Sequence, residues 1–297
     1  MTPEQLECAT QRNPYWQQRL GDQWAGDAIS ALAVDSAEFA EDVYVFQETN
    51  GLGADGICGP ETNARAAYKE YQPPAGTEYI LINDRPIPCD FRVVSPDEAG
   101  ALVFTKGYYS DPLLNPALFV LHWDAATSSR SCYDILCARN LSVQFMLDTD
   151  GMVYQGLDPA KGTCLHAGQV NRRSWGVEIC NPVYLKYQNK NHPRPISTMQ
   201  VRGDKSQILG FYPEQVEAVV KLCHWVCEQT SIPKQLPAKK GQPGKVYNSY
   251  IQGPGDKWLV NGFTGVCAHF HQNDDKCDPG MELWDALIAS GFAIVEV

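Results

Sequence analysis

The run Leu118-Phe119-Val120-Leu121, which ends at His122, decides the fold of the larger part of this 297-residue chain. A short and continuous apolar run is typical of a strand that is buried on both faces. The end of such a strand is a rigid place for a metal ligand. His122 is therefore the first candidate site residue.

More strands are predicted on both sides of a turn further along the chain. Residues 143–147 and 152–155 flank Asp148-Thr149-Asp150-Gly151, whose composition is typical of a hairpin turn. Residues 175–180 and 265–268 are two further short apolar segments. The pattern therefore predicts several short strands after the first one.

Helical and irregular segments lie between these strands. A predicted helix begins at Pro213 and carries its apolar residues on one face. The intervals 182–211 and 232–258 are long, polar and proline-bearing, and we expect irregular insertions there. Strands interleaved with helices predict an α/β domain with a mixed central sheet flanked by helices.

A small all-α domain is predicted in front of this α/β domain. Residues 35–46 have helical spacing, Asn50-Gly51 and Asp55-Gly56 interrupt it, and a second helix is predicted from Gly59-Pro60-Glu61-Thr62 through Tyr68. The run Gln72-Pro73-Pro74-Ala75-Gly76 is typical of a linker. We therefore predict domains at 1–72 and 79–297, joined by a linker at 73–78.

Charge and composition exclude some classes of partner. The chain has 24 Lys and Arg against 35 Asp and Glu, a net charge of −11. This sign argues against nucleic acid and anionic membrane as partners, since both bind through clustered basic residues. No apolar stretch is long enough for a membrane span, and the N-terminus lacks the pattern of a signal peptide.

The eleven cysteines do not fix a redox compartment, because their number is odd and they show no paired zinc-ribbon spacing. A bridge between Cys132 and Cys137 is one open possibility, whereas Cys223 and Cys227 are poorly spaced for one. We interpret most of the cysteines as small buried apolar residues.

Three residues have the chemistry of a hydrolytic zinc site. His122 ends one predicted strand, His269 follows another, and Asp278 comes nine residues after His269. Two imidazoles and one carboxylate leave a fourth coordination position open, as zinc hydrolases require. Two alternatives stay open at this point: His271 in place of His269, and Cys277 in place of Asp278.

Five sequence blocks occur in the order that is found in the zinc-dependent N-acetylmuramoyl-L-alanine amidases of type 2. This family includes phage endolysins, bacterial wall-recycling amidases and peptidoglycan recognition proteins. The blocks are Leu121-His122-Trp123-Asp124-Ala125; Ser142-Val143-Gln144-Phe145-Met146-Leu147 with Asp150-Gly151-Met152-Val153-Tyr154-Gln155; Leu165-His166-Ala167-Gly168 with Asn171; Ser174-Trp175-Gly176-Val177-Glu178-Ile179; and His269 with Lys276-Cys277-Asp278-Pro279-Gly280. The chain therefore resembles this family over about 160 residues.

The resemblance implies a role for each matching residue. It implies one zinc ion held by His122, His269 and Asp278, with Glu178 as general base and Lys276 as the cation that stabilises the oxyanion. It places His166, Asn171 and Trp123 at the substrate, with contact to a metal ligand as the alternative role of His166. These residues would cleave the amide between N-acetylmuramic acid and the L-alanine of the stem peptide.

One departure from the family pattern concerns the strand before the hairpin. Many relatives carry Tyr-His or Ala-His where this chain has Val143-Gln144. The departure removes a tyrosine that one branch of the family uses in catalysis, and it leaves the chemistry to Glu178 and Lys276.

The first domain resembles the helical peptidoglycan-binding module. The matching residues are Val45-Phe46-Gln47, Asn50-Gly51-Leu52, Ala54-Asp55-Gly56-Ile57, Gly59-Pro60-Glu61-Thr62 and Ala66. The resemblance implies a wall-binding unit in front of a wall-cutting one, and tethering would raise the local concentration of substrate.

The sequence thus predicts an active amidase, either an endolysin or an antibacterial effector, that acts on the cell wall after lysis or dedicated secretion. Two alternatives remain: a peptidoglycan recognition protein that does not cut, and a zinc peptidase that acts on a stem-peptide cross-link. An inhibitor or immunity partner cannot be identified from these residues.

Overall fold

The structure, a computed structural model, describes residues 1–49, 52–60, 62–63, 66, 76–242, 244–250 and 262–297. The chain divides into two compact units, Met1–Gly76 and Thr77–Val297. The Asn50-Gly51 turn, half of the predicted helix that ends at Tyr68 and half of the predicted linker at 73–78 lie outside the described residues.

Both units contain helices, and the second also contains strands. The helices are α1 (Pro3–Leu20), α2 (Ala37–Thr49), α3 (Ser129–Ala138), α4 (Pro213–Gln229), α5 (His269–Gln272) and α6 (Trp284–Ala289). The strands are β1 (Tyr79–Ile82), β2 (Arg85–Pro88), β3 (Val93–Val94), β4 (Tyr108–Tyr109), β5 (Leu118–Trp123), β6 (Phe145–Leu147), β7 (Val153–Gln155), β8 (Thr163–Cys164), β9 (Ser174–Ile179), β10 (Ile196–Thr198), β11 (Gln207–Leu209), β12 (Gln235–Ala238), β13 (Gly265–Ala268) and β14 (Ala293–Glu296). Among the described residues, no helix is long and apolar enough to cross a membrane.

The second unit is built on a six-stranded mixed sheet in the order β13-β5-β9-β6-β7-β3. The pairs β13–β5, β5–β9 and β9–β6 are parallel. The predicted hairpin at the Asp148–Gly151 turn is present, since β6 and β7 pair antiparallel. Strand β3 then adds to β7 in parallel. The predicted mixed sheet is therefore confirmed.

Successive side chains of a strand point to opposite faces of a sheet. Helices cover both faces of this one. Phe119 and Leu121 of β5 belong to the core that also holds Leu222 of α4. On the other face, Leu136 of α3 packs in a cluster with Met146 of β6. All residues of β5 from Leu118 to His122 are buried, which agrees with the continuous apolar run that predicted the strand.

The two intervals that we predicted to be irregular contain strands. Residues 182–211 include the antiparallel hairpin β10–β11, and residues 232–258 include β12, which pairs in parallel with the C-terminal β14. The prediction is wrong for these strands. Apolar and polar residues do not alternate along them, so the sequence gives no strand signal. Strand β10 is largely exposed, and β12 carries Pro237. Residues 251–261 lie outside the described part of the chain.

All eleven cysteines are free thiols, so the open possibility of a bridge between Cys132 and Cys137 is not realised. Both residues lie on α3. Most of the cysteines are buried, as we predicted.

The described residues of the first unit contain helices and no strand. The predicted helix at 35–46 is α2, which begins later because the Ser36 side chain accepts a hydrogen bond from the Phe39 amide at 3.0 Å, as an N-cap does. Helix α1 was not predicted. Only Ala9 and Asn13 of its residues are buried, so its sequence carries no apolar stripe.

Gln47 organises the loop that follows α2. Its side chain is 2% exposed. Its Nε2 donates to Asp55 Oδ1 at 2.8 Å and to Thr62 Oγ1 at 2.9 Å. Its Oε1 accepts from the amides of Asp55 and Gly56 at 3.0 and 2.8 Å. The Phe46-Gln47, Asp55-Gly56 and Thr62 elements of the wall-binding motif are thus joined by one buried amide.

The Gln47→Ala substitution is expected to destabilise this loop by about 2 to 4 kcal/mol, because the amides of Asp55 and Gly56 lose their acceptor. Hydrogen exchange of the Asp55 and Gly56 amides in the full chain should accelerate by about tenfold or more. Glu48→Ala, at the exposed neighbouring position, is the control and should leave both rates unchanged. Equal exchange in the Gln47 variant and the wild type would contradict this role.

Candidate metal centre

The site is built where three parallel strands end at one edge of the sheet. His122 lies near the end of β5 and is the register partner of Glu178 on β9. Ala268, the last residue of β13, is the register partner of Leu121, so His269 follows beside His122. Residues far apart in the sequence therefore meet because parallel strands put their carboxyl ends at the same edge.

Asp278 reaches the same edge through a short connection. Helix α5 begins directly after β13, and the Phe270 amide at its start donates to the Asp278 carbonyl at 3.2 Å. Gly280, with φ at +80°, follows two residues later. A Cβ atom there would lie 3.1 Å from the Trp123 ring, so the glycine lets this segment pass close to the end of β5.

The donor atoms of His122, His269 and Asp278 form a small triangle. The two Nδ1 atoms of the histidines are 3.0 Å apart. Asp278 Oδ2 lies 3.1 Å from His122 Nδ1 and 2.9 Å from His269 Nδ1. This is the one group of three such ligand atoms found among the described residues. The side chains are 2%, 17% and 11% exposed in the same order, so only His269 reaches appreciably toward solvent.

The structure separates the alternatives that the sequence left open. His271 is fully buried, its Nδ1 accepts from the Ala268 amide at 3.0 Å, and its Nε2 donates to the Tyr247 carbonyl. Cys277 is half-buried and packs against the apolar core. Neither residue belongs to the triangle, and both are held by contacts elsewhere.

The electrostatics of the triangle suit a cation. Burial, with a smaller contribution from the nearby His269, lowers the pKa of His122 to about 4, so this imidazole is neutral at pH 7. Burial alone would raise the pKa of Asp278, but its hydrogen-bond contacts with the two histidines outweigh this effect and hold that pKa well below its usual range. Two imidazoles and one carboxylate are a donor set for a divalent metal ion.

His166 and Ser174 form a chain of contacts at the other ring nitrogen of His122. Its Nε2 lies 3.0 Å from His166 Nδ1, and His166 Nε2 lies 3.2 Å from Ser174 Oγ. Burial lowers the pKa of His166 well below its ordinary value, so it can accept at one nitrogen and donate at the other. Gly176 makes room for this ring, since a Cβ atom there would lie 2.5 Å from His166 Nδ1.

Glu178 lies next to the triangle, and its surroundings shift its pKa. Burial raises its pKa well above the ordinary value, and the negative charges of Asp278 and Asp124 raise it further. Arg139 and Lys276 act in the opposite direction. Lys276 also lowers the pKa of His122, so its positive charge acts on both groups. A carboxyl group whose pKa is raised in this way is suited to take up a proton during a reaction.

The residues predicted at the substrate have other contacts in the structure. Asn171 is buried, and its Oδ1 accepts from the amides of His166 and Ala167 at 3.1 and 2.6 Å. Both ring nitrogens of His166 face protein atoms, and Trp123 lies against Gly280. Substrate contacts by His166, Asn171 and Trp123 stay predictions.

Gln144, at the position of the family departure, is buried beneath the site. Its Oε1 accepts from the Gly176 amide at 2.8 Å, whereas its Nε2 has no hydrogen-bond partner among the described residues. The polar side chain at this position therefore supports β9 under Glu178 and His166. The family resemblance implies a histidine at this position, and here Gln144 makes a structural hydrogen bond in its place.

The sequence analysis missed two supporting residues. Arg202 lies in the turn between β10 and β11, and its Nη1 donates to the Lys276 carbonyl at 2.6 Å. Asp124 accepts at Oδ1 from the amides of Ala126 and Asn181, at 2.8 and 3.0 Å, and burial raises its pKa to about 6. Asp124 could have been found from the sequence, because it directly follows His122-Trp123. No sequence pattern points to Arg202.

Comparison with known proteins gives a family and several similar folds. A search of the curated proteins found no match. Among solved structures, the amidase LysC from Clostridium intestinale URNW shares 14% identity, with 67% of this chain and 96% of that chain covered and a TM-score of 0.38. AmpDh3 from Pseudomonas aeruginosa shares 14% identity, with 67% and 65% covered and a TM-score of 0.39.

The complex of peptidoglycan recognition proteins LCa and LCx with tracheal cytotoxin is also similar, at 14% identity. It covers 68% of this chain and 98% of that one, with a TM-score of 0.37. Since all three TM-scores lie below 0.5, the family assignment rests on the family model, which is described as N-acetylmuramoyl-L-alanine amidase and matches residues 112–281. That match spans more than half of the chain and contains the whole triangle, and the chain therefore belongs to the N-acetylmuramoyl-L-alanine amidase family.

Proposed function

We propose that the chain is a zinc-dependent hydrolase that cleaves the amide between N-acetylmuramic acid and the L-alanine of peptidoglycan stem peptides. The observation that carries the proposal is the His122–His269–Asp278 triangle with Glu178 beside it in the sheet register. Membership of the amidase family supports the same chemistry. The proposal explains why two histidines, two carboxylates and a lysine converge at one edge.

The geometry of the triangle supports zinc as the metal. Zinc binds histidine nitrogen and carboxylate oxygen at about 2.0 to 2.2 Å in a tetrahedron, which puts neighbouring donor atoms roughly 3.3 Å apart. The three distances of 2.9 to 3.1 Å are close to this value. Two histidines and one carboxylate are also the ligand set of a known type of catalytic zinc site, in which the fourth position stays open. Zinc held there would polarise the scissile carbonyl and make water a better nucleophile.

The protein residues would handle the proton and the developing charge. Glu178 would take the proton from the attacking water and deliver it to the nitrogen of the leaving L-alanine, a transfer for which its raised pKa is suited. Lys276 would supply positive charge near the carbonyl oxygen as that oxygen becomes negative. Arg202 holds the backbone of Lys276 through the 2.6 Å bond to its carbonyl.

We also propose that the first unit binds the cell wall. A cavity of about 360 Å³ in this unit is lined by Trp16 and Arg12 of α1 and by Gln47 and Asp55 of the motif. An aromatic ring and a guanidinium suit a sugar that carries carboxylates. Attachment of this unit would raise the local concentration of wall around the catalytic unit.

The biological setting that we propose is lysis of a cell wall by an endolysin or an antibacterial effector, which reaches the wall through lysis or dedicated secretion. A non-cutting recognition protein is the competing function. The complete set of two histidines, one aspartate and one glutamate at the edge favours cutting, because binding alone needs no general base.

Glu178→Gln is expected to lower kcat on purified peptidoglycan by roughly 10² to 10⁴-fold, because the amide cannot accept a proton. Products are read by mass spectrometry, where intact stem peptides with a free L-alanine amine identify the amidase. Glu296→Gln, at an exposed glutamate of the same unit, is the matched control and should retain wild-type activity.

Several outcomes would contradict this proposal. Products cut within the stem peptides would indicate a peptidase, and an intact wall with protein still bound would indicate a recognition protein. Full activity of the Glu178 variant would remove this residue from the chemistry. Activity that survives complete removal of metal by a chelator would exclude zinc, whereas loss with recovery on added Zn²⁺ is the expected result.

His166→Ala is expected to weaken zinc binding by about 10- to 100-fold, since a partner that orients a ligand histidine contributes about this much. The readout is the Kd for Zn²⁺ from competition with a chromogenic chelator, independent of activity. His224→Ala is the control, because His224 contacts Ser290 and is not part of the triangle. An unchanged Kd in the His166 variant would show that the contact with His122 has no orienting role.

A further inference from the structure

Residues 184–196 expose apolar side chains next to the catalytic edge of the sheet. Tyr184 is 62% exposed, Tyr187 51%, Leu185 40% and Ile196 59%. Exposed apolar residues that stand singly need no explanation, but a group of them on one short segment marks an interaction surface. We call Tyr184, Lys186, Tyr187 and Ile196 the platform.

The two tyrosines and the lysine form one compact group. The ring centroids of Tyr184 and Tyr187 are 6.3 Å apart, at 63° between the ring planes. Lys186 Nζ lies 5.7 Å from the centroid of Tyr184 and 4.9 Å from that of Tyr187. An ammonium group thus stands between two aromatic faces, where it contacts both rings and stays available to a carboxylate.

The backbone under the platform is held in place. The Gln188 side chain donates to the Arg194 carbonyl and accepts from the Arg194 amide, both at 2.8 Å. Arg194 itself is buried, and its guanidinium donates to Gly210 O, Gln215 Oε1 and Cys180 O at 2.9 to 3.0 Å. Because the loop is fixed before any ligand arrives, binding would lose little ordering entropy.

The platform segment adjoins the metal centre at two points. It leaves the sheet directly after β9, whose Glu178 is the register partner of His122. The turn that follows β10 contacts the centre again, through the Arg202 bond to the Lys276 carbonyl. Both ends of the segment that carries the platform are therefore connected to elements of the metal centre.

The charge of this segment differs from that of the chain. Residues 184–205 contain five basic residues and one acidic one, in a chain with a net charge of −11. Peptidoglycan is a polysaccharide with acidic stem peptides, so it offers pyranose faces to the tyrosines and carboxylates to the lysine. Aromatic residues with a polar edge are suited to such partly apolar surfaces.

We propose that the platform binds the glycan strand and stem-peptide carboxylates of polymeric peptidoglycan beside the cleavage site. This inference rests on the proposed function, which it deepens: the enzyme would favour intact wall over small soluble wall fragments. Nothing in the catalytic residues themselves requires such a preference.

The test compares Tyr187→Ser with Tyr109→Ser in the full chain. Tyr187 is 51% exposed, and Tyr109, on β4 of the same unit and outside the platform, is 41% exposed. On insoluble peptidoglycan, Tyr187→Ser should lower the initial cleavage rate by roughly five- to tenfold, as the loss of one stacking contact predicts. On a soluble N-acetylmuramoyl pentapeptide the rate should stay within about twofold of the wild type. The Tyr109 variant should match the wild type on both substrates.

Binding is measured separately by sedimentation of each tyrosine variant with the wall in the Glu178→Gln background. The Tyr187 variant should sediment less, and Lys186→Gln should make sedimentation less sensitive to salt. Equal loss of rate on both substrates, or equal sedimentation of all variants, would overturn the platform. Binding of the platform to anionic lipid vesicles or DNA in place of wall would also overturn it.

The two proposals fail in different ways. If the wild type releases no stem peptides but the Tyr187 variant still sediments less than the Tyr109 variant, the amidase proposal fails and the platform stands as a wall-binding surface. If the wild type releases stem peptides and Tyr187→Ser acts normally on polymer, the platform fails and the amidase stands.

Discussion

The parallel register of β13, β5 and β9 is the constraint on which the site depends. It sets His122 opposite Glu178 and lets His269 follow beside His122, although these residues are separated by up to 147 positions. A shift of one residue in either pairing would turn a ligand or the glutamate to the opposite face, because side chains alternate along a strand. The apolar residues between these polar groups fix that register, since Leu121 and Val177 are fully buried in the core under the edge.

Burial raises the pKa of both acidic groups at this edge, and the net result differs because their partners differ. Asp278 faces two imidazoles, and its contacts with them keep it ionised in spite of its burial. Among the described residues no such pair of donors contacts Glu178, and the charge of Asp278 raises its pKa further. One carboxylate is thereby suited to hold a cation and the other to carry a proton. Environments that push two titratable groups apart in this way are typical of acid–base sites.

Much of this arrangement could be predicted from sequence, and the rest depends on contacts that leave no local pattern. The strand at His122 carries a continuous apolar run, and the hairpin carries its turn residues, so both were found. Helix α1 buries too little to show a helical period. The choice of His269 over His271 follows from α5, the helical turn that starts directly after β13 and in which His271 contacts the Tyr247 carbonyl. Arg202 acts on the catalytic segment across 74 positions through a backbone carbonyl, which no spacing rule reveals.

The segment between β9 and α4 shows how a rigid support and an exposed surface depend on each other. Burial of a guanidinium is costly unless the group is hydrogen-bonded. Arg194 meets this demand with carbonyl and amide oxygens from Cys180, Gly210 and Gln215, and its guanidinium lies 4.4 Å above the Tyr212 ring. These acceptors come from the end of β9, from the residue after β11 and from the first turn of α4, so the arginine ties three elements of the catalytic unit to one loop. A loop fixed from within can expose tyrosines to solvent without collapsing them onto the core, which is the property that a binding surface beside a cutting site requires.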